Sequence, residues 1–280
     1  CAAVLAHVGS RRVGRVTSVT EASHVVADRD GWRAAALPSE HGGWGLTLDP
    51  VLLGLVVAWS GAGVALGMAA FTAFLVRTPL KLVAIDVRRG RWLDRSRLAL
   101  RIAIVELALL AAAVAFAVTH AGWSWLTPAL IAGPLVAIEL SFDIRSRGRR
   151  LLPEVCGALG ITAVAASIVL AAGYGKGLAG GLWLVLAARA VGAIPFVRVQ
   201  IMRLRHGRGP VWQGDVAPLV SLALGALARV VGRRLLLGLV GVVVLAATQL
   251  VWVRRAPVPA KVVGLRQMGM GLALVTVTAI

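Results

Sequence analysis

The chain has 280 residues, 59% of them hydrophobic and 15% charged, with a net charge of +18 and a mean hydropathy of +0.84. No soluble domain hides that much apolar surface, so composition excludes the soluble globular classes and points to a polytopic membrane protein. The excess arginine falls in short segments between apolar runs, a pattern the positive-inside rule explains, and this sets nucleic acid aside as a partner in favour of the lipid bilayer.

Nine apolar runs follow in chain order, each to be measured against the roughly 20 residues a helix needs to cross the hydrocarbon core. They lie near residues 49–61, 63–77, 98–119, 123–143, 151–173, 178–198, 215–231, 234–253 and 261–280. The first two are short and are separated only by Gly61-Ala62-Gly63, so they read as a tight helical hairpin or a re-entrant pair. Pro79 restarts the chain, and LKLVAID extends the second helix toward the cytoplasmic surface. The implied fold is all-α, a polytopic transmembrane helix bundle of about nine spans, in one domain over residues 38–280. Residues 1–37 are polar, basic and aperiodic, and read as a disordered or spurious N-terminal extension. Cys1 at one end and an apolar run still open at Ile280 look like fragment boundaries. Cys1 and Cys156 are the only cysteines, which argues against disulfide frameworks, zinc sites and iron–sulfur clusters.

Loop charge sets the expected orientation. Arginines crowd the segments 77–101, 145–150 and 198–208, whereas HAGWSW has no Lys or Arg and the loop after the fifth run has only Lys176. The N-terminus and the basic loops are therefore expected in the cytoplasm of a bacterial plasma membrane. Arg229, Arg233 and Arg234 disagree, since they fall on the expected outer side; either those two runs form a shallow hairpin or the count differs there. Trp44, Trp59, Trp123, Trp125, Trp183 and Trp252 lie near span ends, where an aromatic belt would place them.

Chemistry concentrates in ELSFDIRSRGRRLLPE, residues 139–154. Glu139 and Asp143 are four apart, which puts both carboxylates on one helical face, and Glu154 follows Pro153 in the first turn of the next span. One reading is a cytoplasm-facing site in which Glu139, Asp143 and Glu154 hold a metal, with Mg²⁺ as the cofactor. Arg145, Arg147, Arg149 and Arg150 would then surround a phosphate. The other reading is an interfacial salt-bridge network that staples a tight loop.

Glu106 and Arg189 lie deepest within spans, each roughly 14 Å from its cytoplasmic end at 1.5 Å per residue. A charge there costs at least about 2.5–3.5 kcal/mol, so both should face the bundle interior, with Arg189 paired to Glu139 or Glu106. Arg189 and Arg198 are candidates for substrate binding, as are Glu40 and His41 in PSEHGGW at the mouth of the first span. That segment equally suits a helix start capped by Ser39. Asp86 and Asp94, flanked by arginines, read as solvated loop charges, and Asp215 reads as a helix cap. Walker A, HExxH, GxSxG and CxxCH motifs are absent from the sequence.

Three blocks, LPSEHGGWG at 37–45, ELSFDIRSRGRRLLPEVCGALG at 139–160 and LAARAVGAIPFVRVQ at 186–200, resemble the YwiC-like family of bacterial integral membrane proteins. The resemblance runs from about residue 37 to the C-terminus and implies a membrane bundle without naming an activity. Nine spans with a cytoplasmic N-terminus also look like the UbiA-type prenyltransferases, which implies a lipid or isoprenoid diphosphate ligand and magnesium held by aspartates on two cytoplasmic loops. This chain lacks the Asn-Asp and DxxxD patterns of those loops, so Glu139, Asp143 and Glu154 are its better metal candidates. Three function classes stand open: a membrane enzyme acting on such a lipid, a proton- or ion-coupled transporter, and a non-catalytic assembly protein.

Overall fold

The computed structural model describes residues 41–280 apart from 146, 147 and 149, so the expected extension over residues 1–37 lies outside the described residues. Within them, nine α-helices follow one another: α1 (His41–Val57), α2 (Gly61–Arg88), α3 (Asp94–Ala121), α4 (Leu126–Ile144), α5 (Leu151–Ala171), α6 (Lys176–His206), α7 (Val211–Val231), α8 (Leu236–Trp252) and α9 (Ala260–Ala279). Seven are long and apolar enough to cross a membrane, while α1 and α8 are shorter apolar helices. The chain is a multi-pass helix bundle. Helices α2, α3 and α6, of 28, 28 and 31 residues, exceed the length that hydrocarbon alone requires. Their surplus turns carry arginines.

The boundaries have local causes. The chain breaks between α1 and α2 at residues 58–60, not at Gly61-Ala62-Gly63: Ser60 is extended, and its hydroxyl accepts the Gly63 N–H at 2.9 Å. Gly61 and Gly63 therefore belong to the first turn of α2. At the other end of the bundle Gly207 takes the left-handed conformation, φ 68°, that stops α6. Pro50 lies within α1, directly after Asp49, where it removes one helical N–H.

Helices α5 and α6 form the centre. Helix α5 packs on α1, α2, α4 and α6, and α6 also meets α7, α8, α9 and α1. Small residues allow the approach. A Cβ on Gly54 of α1 would stand 2.9 Å from Ile168 Cβ of α5, and one on Gly177 would stand 3.0 Å from the Val231 carbonyl oxygen at the end of α7. Leu53, Ile168, Leu182, Val185, Leu186 and Leu274 fill the main core, and a second cluster of Phe196, Val199, Val253 and Val263 closes the arginine-rich end. Helices α3 and α4 lie at the edge with most of their apolar surface exposed, as Ile104, Val105, Leu130 and Ile131 illustrate. Those faces suit lipid.

Two sequence expectations change here. Asp86 is buried, not solvated: Arg95 grips it at 2.9 and 3.2 Å, and Ser96 donates at 2.8 Å, which ties the end of α2 to the start of α3. Asp215 sits on the fifth residue of α7 and pairs with Arg254 at 2.9 Å, so it caps nothing. Asp94 stays solvent-exposed, with Arg97 at 3.7 Å.

Candidate functional site

Asp49 and Arg189 meet in the middle of the bundle. Asp49 is the ninth of 17 residues in α1 and is 1% exposed; Arg189 lies well inside α6 and is 6% exposed. Arg189 Nη2 stands 2.8 Å from Asp49 Oδ2 and donates to the Gln267 carbonyl of α9 at 3.1 Å. Three helices therefore converge on one guanidinium. Helix α9 can approach because residue 271 is glycine, whose missing side chain leaves room for both charged groups.

The pair is electrically balanced but poorly satisfied. Both Asp49 oxygens, Arg189 Nε and the Gln267 side-chain nitrogen are buried with no hydrogen-bond partner among the described residues. The guanidinium thus approaches the carboxylate off the N–H direction. Burial costs an ion several kcal/mol in a real protein, recovered only when the geometry is good and the remaining donors and acceptors are also bonded. Unfilled hydrogen-bonding capacity at this depth is costly to the fold.

A second group of charges lies toward the arginine-rich end. Arg77 of α2 contacts Glu139 Oε1 at 2.6 Å and Asp143 Oδ2 at 2.6 Å, and Lys81 donates to Asp143 Oδ1 at 3.0 Å. Glu139 presses against Gly157 of α5, where any side chain would collide with its carboxyl group. Glu154 turns instead to Arg198 of α6 at 3.0 Å. Glu139 and Asp143 thus share a face as their spacing implies, with cations from α2 between them. Among the described residues no three His, Cys, Asp or Glu side chains are grouped to hold a metal ion.

The remaining candidates scatter. Arg145 is exposed beyond α4; Arg147 and Glu40 lie outside the described residues, as does the side chain of His41, which opens α1. Arg189 is paired, yet with Asp49 and not with Glu106 or Glu139. Glu106 lies in α3, one of its oxygens buried without a hydrogen-bond partner among the described residues. Asp49 was the residue sequence reasoning missed. Starting the first span at residue 49 made it a boundary charge, although the apolar residues from Trp44 onward already signalled an earlier helix start.

Residues 37–172 match the family model described as YwiC-like protein. The match covers the first two of the three resembling blocks and ends before Leu186, so the similarity to that family lies within residues 37–172. Comparison with curated proteins gave no match. Comparison with solved structures gave none either.

Proposed function

We propose that this YwiC-like membrane protein couples a proton or a small ion to movement across the bilayer, with Asp49–Arg189 as the central element. The single observation that carries the reading is the burial of that pair among α1, α6 and α9 with hydrogen-bonding capacity left open. An ionisable group held at mid-bundle is expensive, and the pathways of pumps and transporters are where such groups are kept. Protonating Asp49, or seating an ion against it, cancels the attraction that holds α1 to α6. Arg189 is then left to the Gln267 carbonyl alone. The state of one carboxylate thereby sets how tightly three helices are joined. The N-terminus faces the cytoplasm of a bacterial plasma membrane in this reading, as the loop arginines favour.

A second reading has a narrower support. Glu139, Asp143 and Glu154 with Arg77, Lys81 and Arg198 place acidic and basic groups at one end of the bundle, where Mg²⁺ and a lipid or isoprenoid diphosphate would bind. That enzyme would first have to displace Arg77 from both of its carboxylates, so the geometry favours transport.

Purified protein in liposomes loaded with a pH-sensitive dye separates the two. Transport predicts that imposed proton or ion gradients dissipate at least about tenfold faster than in empty liposomes, and that Asp49→Asn abolishes the difference. The doubly neutral Asp49→Asn/Arg189→Gln protein checks that loss of flux is not loss of folding. Dissipation indistinguishable from empty liposomes across a panel of ions would overturn the reading.

A further inference from the structure

A small open pocket lies at the arginine-rich end of the bundle, between α6, the end of α8 and the start of α9. Phe196, Gln200, Trp252, Arg255, Val263 and Arg266 are among the residues that line it, and the lining contains no carboxylate. Arg266 holds its guanidinium carbon 4.8 Å from the Trp252 ring centroid, and neither it nor Arg255 forms an ion pair among the described residues. This differs from the treatment of nearby cations: Arg254 is taken by Asp215, and Arg203 donates to the carbonyls of Val253 and Arg255. Two arginines are left facing a shared recess.

Gln200 adds a second, independent feature. It is 3% exposed and spends its amide nitrogen on the Trp252 carbonyl at 2.7 Å, which leaves its buried amide oxygen without a donor. The pocket therefore offers two exposed cations for an anion, above a floor in which the Gln200 oxygen is buried. Its apolar wall of Phe196 and Val263 belongs to the core, while the exposed Leu265, Met268 and Leu272 form an apolar stripe on the outer face of α9, suited to surrounding lipid. An anionic head fits the two arginines, at the edge of a helix whose outer face is apolar.

We propose that this pocket binds the headgroup of an anionic glycerophospholipid. Arg255 and Arg266 take the phosphate oxygens, and the acyl chains stay in the lipid that surrounds the bundle. Guanidinium forks suit phosphate because they can donate two parallel hydrogen bonds. Basic pockets between membrane helices bind lipid heads by this chemistry. The site does not share residues with the Asp49–Arg189 pair, and it stands or falls separately from the transport reading.

The test uses the full-length protein in detergent micelles, with phosphatidylglycerol, phosphatidylcholine, inorganic phosphate or glycerol 3-phosphate added. Phosphatidylglycerol should raise the melting midpoint and stay bound in native mass spectra, whereas phosphatidylcholine should do neither. The Arg255→Gln/Arg266→Gln protein should bind phosphatidylglycerol at least about tenfold more weakly, as the loss of charge-assisted contacts implies. If that protein does not fold, Ala256→Trp, which fills the pocket from an exposed position without touching a charge, should give the same loss. Equal retention of both lipids, or retention unaffected by either variant, rejects the site. A shift with phosphate or glycerol 3-phosphate as large as with the lipid would reassign the pocket to a soluble phosphoanion and overturn the lipid proposal.

Discussion

A side chain on Gly271 would overlap the Arg189 guanidinium. It would also stand 2.5 Å from Asp49 Oδ2. The glycine and the arginine are therefore one fitted unit, although α6 and α9 lie far apart in sequence. Ordinarily Gly→Ala inside a helix gains about 1 kcal/mol. At Gly271 that gain is opposed by separation of a buried pair, worth about 3–5 kcal/mol when one partner is lost. Gly271→Ala should thus lower stability by roughly 2–4 kcal/mol on balance. Gly264→Ala on the same helix meets nothing within 4 Å and should be neutral or slightly stabilising. Thermal or denaturant melting of both variants in one detergent checks the contrast.

Arg189→Leu should destabilise the protein by about 3–5 kcal/mol, because it leaves Asp49 buried with no countercharge. Adding Asp49→Leu should recover part of that loss. Adding Glu106→Gln or Glu139→Gln instead should be additive within about 0.5 kcal/mol, since neither is paired with Arg189. Coupling to Glu139 as large as coupling to Asp49 would show that the partner has been misidentified.

Arg77 and Lys81 both reach Asp143, and their removal should not cost the same. Arg77 also holds Glu139 and is the more buried of the two, so Arg77→Gln should cost about 1.5–3 kcal/mol. Lys81→Gln should cost no more than about 1 kcal/mol, because Lys81 is the more exposed of the two cations and Arg77 still holds Asp143. Mg²⁺ should raise the midpoint of Arg77→Gln, in which Glu139 and Asp143 lose their shared arginine, and leave wild type unchanged. A magnesium-dependent rise in wild type would instead support the enzymatic reading.

Orientation is accessible to reporter fusions. Fusions at Ser124 and Gly175 should report the outer side, and fusions at Gly90 and Gly207 the cytoplasm. Arg233 and Arg234 connect α7 to α8 as exposed residues, at the end of the bundle that Gly177 shares with Val231. A reporter at Arg234 should therefore agree with Gly175 despite the local positive charge. Agreement with Gly207 would mean that α7 and α8 do not both cross.

The number and order of the helices were legible in the sequence because each apolar run had to end at a polar or glycine-containing break. The exact ends were not. Ser60, which carries no hydropathy signal, fixes the start of α2 through a single hydrogen bond, and the true start of α1 moves Asp49 from a boundary to the middle of a helix. The charge partners were legible only where they were local. The spacing of Glu139 and Asp143 put both on one face, but no spacing links Asp143 to Arg77, 66 residues away, or Asp49 to Arg189. Asp86 shows the same limit over a shorter distance. Flanking arginines looked like solvent charges until the α2–α3 turn brought Arg95 back onto it.

Pro50 gives the central pair a mechanical setting. A proline leaves the carbonyl four residues earlier without its helical donor, so α1 is softest in the turn from Leu46 to Pro50, where Asp49 fastens it to α6. Fastener and hinge fall in a single turn. Releasing the carboxylate would free α1 where it bends most readily, and the half beyond Pro50 could tilt against Ile168 while the half before it kept its place. In the transport reading, the dipeptide Asp-Pro would serve as both latch and joint.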